Sequence, residues 1–160
     1  MSISNPFVCN QLKRADVARF KDLLQVFGRA FEDVETYQCA VPSDAYLEKL
    51  LSKQHFIAVA ATVEGEVVGG LTAYVLEKFE QDRREIYVYD LAVSDEYRRR
   101  GIATGLINEL RTVAAEQDVY VIFVQAHLVD EPAIALYESL GMKETVHHFD
   151  IDVKPGERSS

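Results

Sequence analysis

The sequence predicts an α/β protein, a mixed central β-sheet with helices on both faces. Three observations predict it. His55–Thr62 (HFIAVAAT) is apolar at nearly every position, and Val67–Leu76 runs back from it after a Glu64-Gly65 turn. Such a pair is an antiparallel hairpin, and its lack of alternation means that both faces are covered. Ile86–Val93 (IYVYDLAV) and Val119–Ala126 (VYVIFVQA) are two further strands, joined by a helical stripe of Ile102, Leu106, Ile107, Leu110, Val113 and Ala114. A strand–helix–strand unit of this length is a crossover and implies a parallel pair.

The remaining elements follow from spacing. Val17, Phe20, Leu23, Leu24, Phe27 and Phe31 recur in steps of three and four, an amphipathic helix from Asp16 to Phe31 with Asp16 as its N-cap. Glu32–Tyr37 is polar and acidic. Pro42-Ser43-Asp44 opens a second helix to about Leu51, capped by Ser43. Phe79–Arg84 reads as a loop. Ala133, Leu136, Tyr137 and Leu140 form a short stripe ended by Gly141 at the C′ position. Val146–Val153 alternates, with His147, Phe149, Ile151 and Val153 on one side and His148, Asp150 and Asp152 on the other, as a last strand would. The whole chain, 1–160, is expected to make one domain with flexible ends at about 1–6 and 154–160.

Composition narrows the function classes. The chain carries 17 Lys+Arg against 26 Asp+Glu, a net charge of −9. With 48% hydrophobic and 27% charged residues it can bury a core and is not a disordered chain. The acidic balance argues against nucleic acid and favours a cationic partner. Two cysteines, Cys9 and Cys39, make no disulfide framework. The apolar runs are too short for a bilayer and the first residues do not form a signal peptide, so the expected location is the cytoplasm. The assembly stays open, a homodimer included.

One segment carries a chemical signal. After the strand ending at Val93, the sequence reads Arg98-Arg99-Arg100-Gly101-Ile102-Ala103-Thr104 and opens a helix. First-turn amides of a helix lack internal partners and point outward with the positive end of the dipole. Gly101 and Ala103 leave room for a ligand beside the backbone, and arginines offer paired donors to phosphate oxygens. No Gly-Lys-Ser/Thr follows, which excludes a P-loop, and Gly101 and Gly105 do not fit the dinucleotide-fold fingerprint.

This Arg98-x-x-Gly101-x-Ala103 loop after Ile86–Val93 resembles the acyl-CoA signature of the GNAT superfamily of N-acetyltransferases. Asp130-x-x-Ala133-x-x-Leu136-Tyr137-Glu138-x-x-Gly141-Met142 resembles that superfamily's later motif, N-x-x-A-x-x-L-Y-x-x-x-G-F, with Asp for Asn and Met for Phe. Within it, three stretches look closer to the type I aminoglycoside 3-N-acetyltransferases, the gentamicin and fortimicin enzymes: Val26-Phe27-Gly28-Arg29-x-Phe31-x-Asp33, Glu85–Ser94 and His148–Asp152. The resemblance implies the GNAT fold and acetyl-CoA as cosubstrate without a metal. It implies that Leu91, Ala92 and Val93 hold pantetheine through backbone hydrogen bonds and that Arg98, Arg99, Arg100, Gly101, Ile102, Ala103 and Thr104 hold the pyrophosphate. Asp130 stands at the family's pantetheine contact, a role its change from Asn puts in question.

Acetyl transfer to an amine needs a base, oxyanion stabilisation and an acid for the leaving thiolate. Asp90 is an isolated carboxylate inside an apolar strand, which must be paired, exposed in a cleft or strained. It is the candidate base, or else a purely electrostatic anchor for the acceptor. Tyr137 matches the superfamily's acid, and equally lies on an apolar stripe where a core tyrosine belongs. Asp33, Glu35, Asp90, Asp150 and Asp152 are candidates for an acidic wall that binds a polyamine sugar; each is otherwise an ordinary solvated acid. The expected activity is N-acetylation of an aminoglycoside, hence antibiotic resistance. The alternatives are acetylation of another cationic amine, such as a polyamine or a protein amine, and a non-catalytic acyl-CoA sensor.

Overall fold

A computed structural model describes residues 6–156, which fall into two compact units, one ending at Gln125 and one beginning at Ala126. The first holds a five-stranded sheet in the order β1 (Phe7–Gln11), β2 (Phe56–Val63), β3 (Glu66–Glu77), β4 (Arg84–Val93) and β5 (Val119–Val124). All neighbours are antiparallel except β4 and β5, the parallel pair that the crossover required. Its helices are α1 (Val17–Ala30), α2 (Val34–Gln38), α3 (Asp44–Leu51) and α4 (Ile102–Glu116). The second unit contains α5 (Glu131–Leu140). Among the described residues no helix is long and apolar enough to cross a membrane.

The β2–β3 turn shows local sequence setting geometry. Glu64 and Gly65 have φ of 50° and 84°, and Val63 pairs with Glu66 across them. Two consecutive positive φ values match the twist of the flanking strands, and glycine takes the second at little cost.

Both faces of β2 are covered, as its unbroken apolar run predicts. Phe56, Ala58 and Ala60 of β2 pack with Phe20, Leu23 and Phe27 of α1 and with Leu47 and Leu51 of α3. The intervening Ile57, Val59 and Ala61 are equally buried and point to the opposite face. That face belongs to α4: a Cβ on Gly105 would meet Phe7 and Cys9 of β1, and these residues pair with Val63 and Ala61. Burial there pushes the Cys9 thiol up to about 11, with the Glu109 charge adding to the rise. This thiol is therefore not a nucleophile at neutral pH.

Three features depart from the sequence reading. β1 was not anticipated. It is an edge strand whose residues alternate between half-buried and exposed, and it is fixed by pairing with β2 rather than by its own composition. α2 occupies the polar, acidic stretch to which the sequence assigned no element, and at five residues it is too short to show a helical period. Val146–Val153 is not a strand. Alternation makes a strand only where a neighbour takes the backbone groups; here Val146, Phe149, Ile151 and Val153 are all exposed. The caps differ in detail as well. Asp16 accepts from the Lys13 amide at 2.8 Å rather than capping α1, and Gly141 is extended, φ −158°, rather than left-handed.

At Gly70 the side chain of Leu23 from α1 packs directly on the sheet backbone. A Cβ there would lie 2.6 Å from the Val59 carbonyl and collide with the Leu23 side chain, which is fully buried. Gly70→Ala is expected to destabilise the protein by about 1–3 kcal/mol, the usual cost of overpacking, read as a lower urea midpoint with an unchanged slope.

Candidate functional site

Asp90 owes its position to a single irregularity in β4. Thr72 pairs with Asp90 and Ala73 with Val88, so Tyr89 has no partner on β3. Up to that point Ile86 and Val88 are buried on the side of α4, with Tyr87 on the other. Without the extra residue, Asp90 would follow Ile86 and Val88 into the apolar face. The bulge turns it to the side of Tyr87 and Thr72, where α1 and α2 lie. There the Tyr37 hydroxyl of α2 donates to Asp90 Oδ2 at 2.8 Å. Burial raises the carboxyl above its ordinary range, and the Tyr37 hydrogen bond opposes that rise. The same contact, with burial as the larger cause, lifts the Tyr37 phenol far above its usual value. Tyr37 therefore remains a donor at any working pH.

Tyr37 is itself fixed. Its ring meets Phe27 at 5.9 Å and Phe31 at 5.7 Å, both of them at the C-terminal end of α1. The short helix that carries it is capped by Asp33, which accepts from the Thr36 amide at 3.1 Å. Asp33 is thus occupied as a cap, and Glu35 is an exposed residue of the same helix.

Beyond Asp90 the strand lies open on one side. β4 stays paired with β3 to Val93, but its ladder with β5 ends at Val88 and Val124. Leu91, Ala92 and Val93 thus have one edge of their backbone outside the β4–β5 ladder. The chain then passes through a short 3-10 turn, Asp95–Tyr97, into the arginine loop. Arg98 donates to the Val93 carbonyl at 3.4 Å and pairs with Asp95 at 3.0 Å, and Arg100 lies over the Tyr97 ring at 5.0 Å. Arg99 and Gly101 both adopt left-handed φ, 61° and 80°. Gly101 is the N-cap of α4 and makes no side-chain cap, and the space where a Cβ would sit is open. The amides of Ile102, Ala103 and Thr104 at the head of α4 are therefore uncapped donors aimed outward. This donor set suits the phosphates of a nucleotide-like anion such as the acyl-CoA pyrophosphate.

In the second unit, Asp130 is the N-cap of α5 and accepts from the Ala133 amide at 3.2 Å. Tyr137 is half-buried, and burial, reinforced by the Asp130 charge, pushes its phenol up to about 12. Asp150 lies 3.0 Å from His148, and Asp152 is partly buried. The first unit thus brings Asp90 and Tyr37 together, with Asp33 at the start of Tyr37's helix, whereas Asp150 and Asp152 belong to the other unit.

A family model described as the acetyltransferase (GNAT) family matches residues 20–142. The chain belongs to the GNAT acetyltransferase family. It is 53% identical to a solved aminoglycoside acetyltransferase from an uncultured soil metagenomic sample, with a TM-score of 0.91 over 93% of this chain and 99% of that one. A second solved aminoglycoside acetyltransferase from an uncultured soil metagenomic sample, in complex with sisomicin, is 33% identical, with a TM-score of 0.86 over 96% of this chain and all of that one. A mouse protein named probable N-acetyltransferase family 8 member 5 is 25% identical over 126 residues, 79% of this chain and 55% of that protein. The chain spans about half the length of the curated relatives it matches.

In this GNAT chain the structure places the arginine loop at the head of α4 and sets Asp90 of β4 against Tyr37. What the sequence reading missed is Tyr37. Its signal was present only as an aromatic in an acidic stretch, and its partner lies 53 residues away.

The Tyr37–Asp90 contact predicts a pH-dependent stability. The folded-state pKa of Asp90 is raised, so its contribution is present below the ordinary carboxylate value and is lost as pH rises through the folded value. Tyr37→Phe removes the one influence that opposes the rise. The variant is expected to lose about 1 kcal/mol more at pH 7 than at about pH 4, a charge-assisted bond discounted for the partial exposure of Asp90. Urea titrations of both proteins at the two pH values measure the difference.

Proposed function

We propose that this chain transfers the acetyl group of acetyl-CoA to an aminoglycoside, at the 3-amino group of the deoxystreptamine ring, and thereby confers resistance. The observation that carries the reading is the half-buried carboxylate of Asp90, held by Tyr37, on the strand that runs directly into the uncapped amides of α4. Two solved proteins described as aminoglycoside acetyltransferases, at 53% and 33% identity over nearly the whole chain, support the acceptor class.

Acetyl-CoA supplies a thioester whose carbonyl carbon accepts the amine. The residues proposed to hold it are Leu91, Ala92 and Val93, by the backbone edge outside the β4–β5 ladder, and Arg98 to Thr104, by amides and guanidinium groups. Asp90, with Oδ2 committed to Tyr37, offers Oδ1 to the acceptor ammonium and takes its proton directly or through a water. The amine nitrogen then bonds to the acyl carbon as the carbon–sulfur bond breaks, and the thiolate needs a proton. Tyr137, matched by its motif and protonated up to about 12, has the chemistry of that acid. Asp130 is proposed at the pantetheine through whatever its cap leaves free.

Incubation with acetyl-CoA and a panel of deoxystreptamine aminoglycosides, polyamines and lysine peptides, with release of free thiol as readout, tests the reading. Aminoglycosides acetylated at the 3-amino position are the expected product. Turnover of peptides or polyamines alone, or binding of acetyl-CoA without turnover, overturns it.

Asp90→Asn is expected to lower kcat about 10²–10⁴-fold while leaving the KM for acetyl-CoA unchanged. A raised acceptor KM with kcat retained would make Asp90 an electrostatic anchor instead. Because burial raises the Asp90 pKa, the acidic limb of kcat/KM should fall above the ordinary carboxylate range and move further up in Tyr37→Phe. Gly101→Val should raise the acetyl-CoA KM far more than the acceptor KM, because it forces a β-branched residue into φ 80° and fills the space in front of the α4 amides.

A further inference from the structure

One face of the sheet carries an aromatic row that the chemistry of acetyl transfer does not itself require. Phe56 pairs with Tyr74, Tyr74 with Tyr87, and Tyr87 with Phe123, so four rings on β2 to β5 share one register line. Tyr89, the unpartnered bulge residue, wedges between two of them. Its ring lies 6.0 Å from Tyr74 at 84° and 6.0 Å from Tyr87 at 78°, while Tyr87 stacks on Phe123 at 4.9 Å. Phe56 at one end belongs to the core, and the rest of the row does not. Tyr89 is 62% exposed, and Tyr74 and Phe123 are more than a third exposed. A contiguous exposed aromatic patch of this kind marks a binding surface.

The charge at its centre says what the patch binds. Asp90 follows Tyr89 in the chain and is turned to the same side by the bulge. The Tyr74 and Tyr87 hydroxyls both experience its negative charge. Its hydrogen-bond partner is the neutral Tyr37, and among the described residues no lysine or arginine pairs with it. A carboxylate without a cation, on the same face as a row of exposed rings, is complementary to an ammonium group. The carboxylate supplies the charge attraction and the rings add cation–π attraction and a flat apolar surface for a sugar's C–H face.

We propose that Tyr74, Tyr87 and Tyr89, with Phe123, form an aromatic platform around Asp90 that binds a protonated amine carried on a sugar ring, and that this platform rather than a wall of carboxylates selects the acceptor. The proposal rests on the reading of Asp90 as the acceptor end of the site. It also gives the bulge a second use, since the same extra residue that aims Asp90 supplies the most exposed ring.

Calorimetric titration with sisomicin, without acetyl-CoA, tests it separately from turnover. Tyr89→Leu is expected to weaken binding about tenfold, within the range of a partly desolvated cation–π contact. Tyr89→Phe, which keeps the ring, should restore affinity to within about twofold of the parent protein. Tetramethylammonium chloride should compete with sisomicin more strongly than sodium chloride at equal ionic strength, and this advantage should vanish in Tyr89→Leu. Phe123→Leu gives a second variant should Tyr89→Leu misfold. Wild-type affinity in both leucine variants, or equal competition by the two salts, overturns the platform. Loss of binding in the leucine variants together with no acetylation of any aminoglycoside would leave the platform standing and remove the proposed activity instead.

Discussion

Tyr89 is opposed by no residue of β3, and that one extra position turns the side chain of Asp90 from the face packed by α4 to the face packed by α1 and α2. Everything else about the site depends on this turn. On the α4 side the carboxyl would enter a layer with Ile86 and Val88, both essentially inaccessible to solvent. Burial of an unpaired carboxylate there would cost several kcal/mol or force it neutral. On the other side it meets a hydroxyl donor and exposed aromatic faces, and it keeps enough solvent to ionise.

The bulge coincides with the end of β4–β5 pairing at Val88 and Val124. A bulge increases local twist and bends its strand, and the last β4–β5 pair, Val88 with Val124, directly precedes it. The resulting gap leaves backbone donors and acceptors of Leu91, Ala92 and Val93 outside the β4–β5 ladder, while the β3 side stays fully paired. The strand thus presents a carboxylate to one region and a free backbone edge to another. It then delivers the chain to the head of α4, where two left-handed residues, Arg99 and Gly101, shape the turn that exposes the helix amides. Fixed helix dipoles and local arginines favour an anion at this turn even in a chain of net charge −9, as the proposed cofactor site requires.

Asp90 also shows how two opposing influences tune one group. Desolvation raises its proton affinity and the Tyr37 hydroxyl lowers it, and neither acts alone. The hydroxyl is held by a cluster with Phe27 and Phe31, so the pose of α2 depends on the packing of the α1 C-terminus. The stretch Val26–Asp33, which stood out in the sequence, therefore serves the site indirectly: its aromatics seat Tyr37 and its aspartate caps Tyr37's helix.

By itself the sequence determined the class of fold, the hairpin, the parallel crossover, the loop at the head of α4 and the singularity of Asp90. These are legible because each rests on local chemistry: apolar runs, a Glu-Gly turn, a glycine before a helix, one charge in an apolar strand. Only the tertiary structure decided the rest. β1 exists because β2 offers it an edge, and α2 is too short to announce itself by period. Val146–Val153 alternates like a strand but is not one, since a pattern of faces does not supply a pairing partner. Tyr37 reaches Asp90 across 53 residues, and the direction of Asp90 depends on a register slip between β3 and β4. Such facts live in the relation between distant segments. Strand pairing and long-range hydrogen bonds depend on which backbone groups meet in space, and no window along the chain contains both partners.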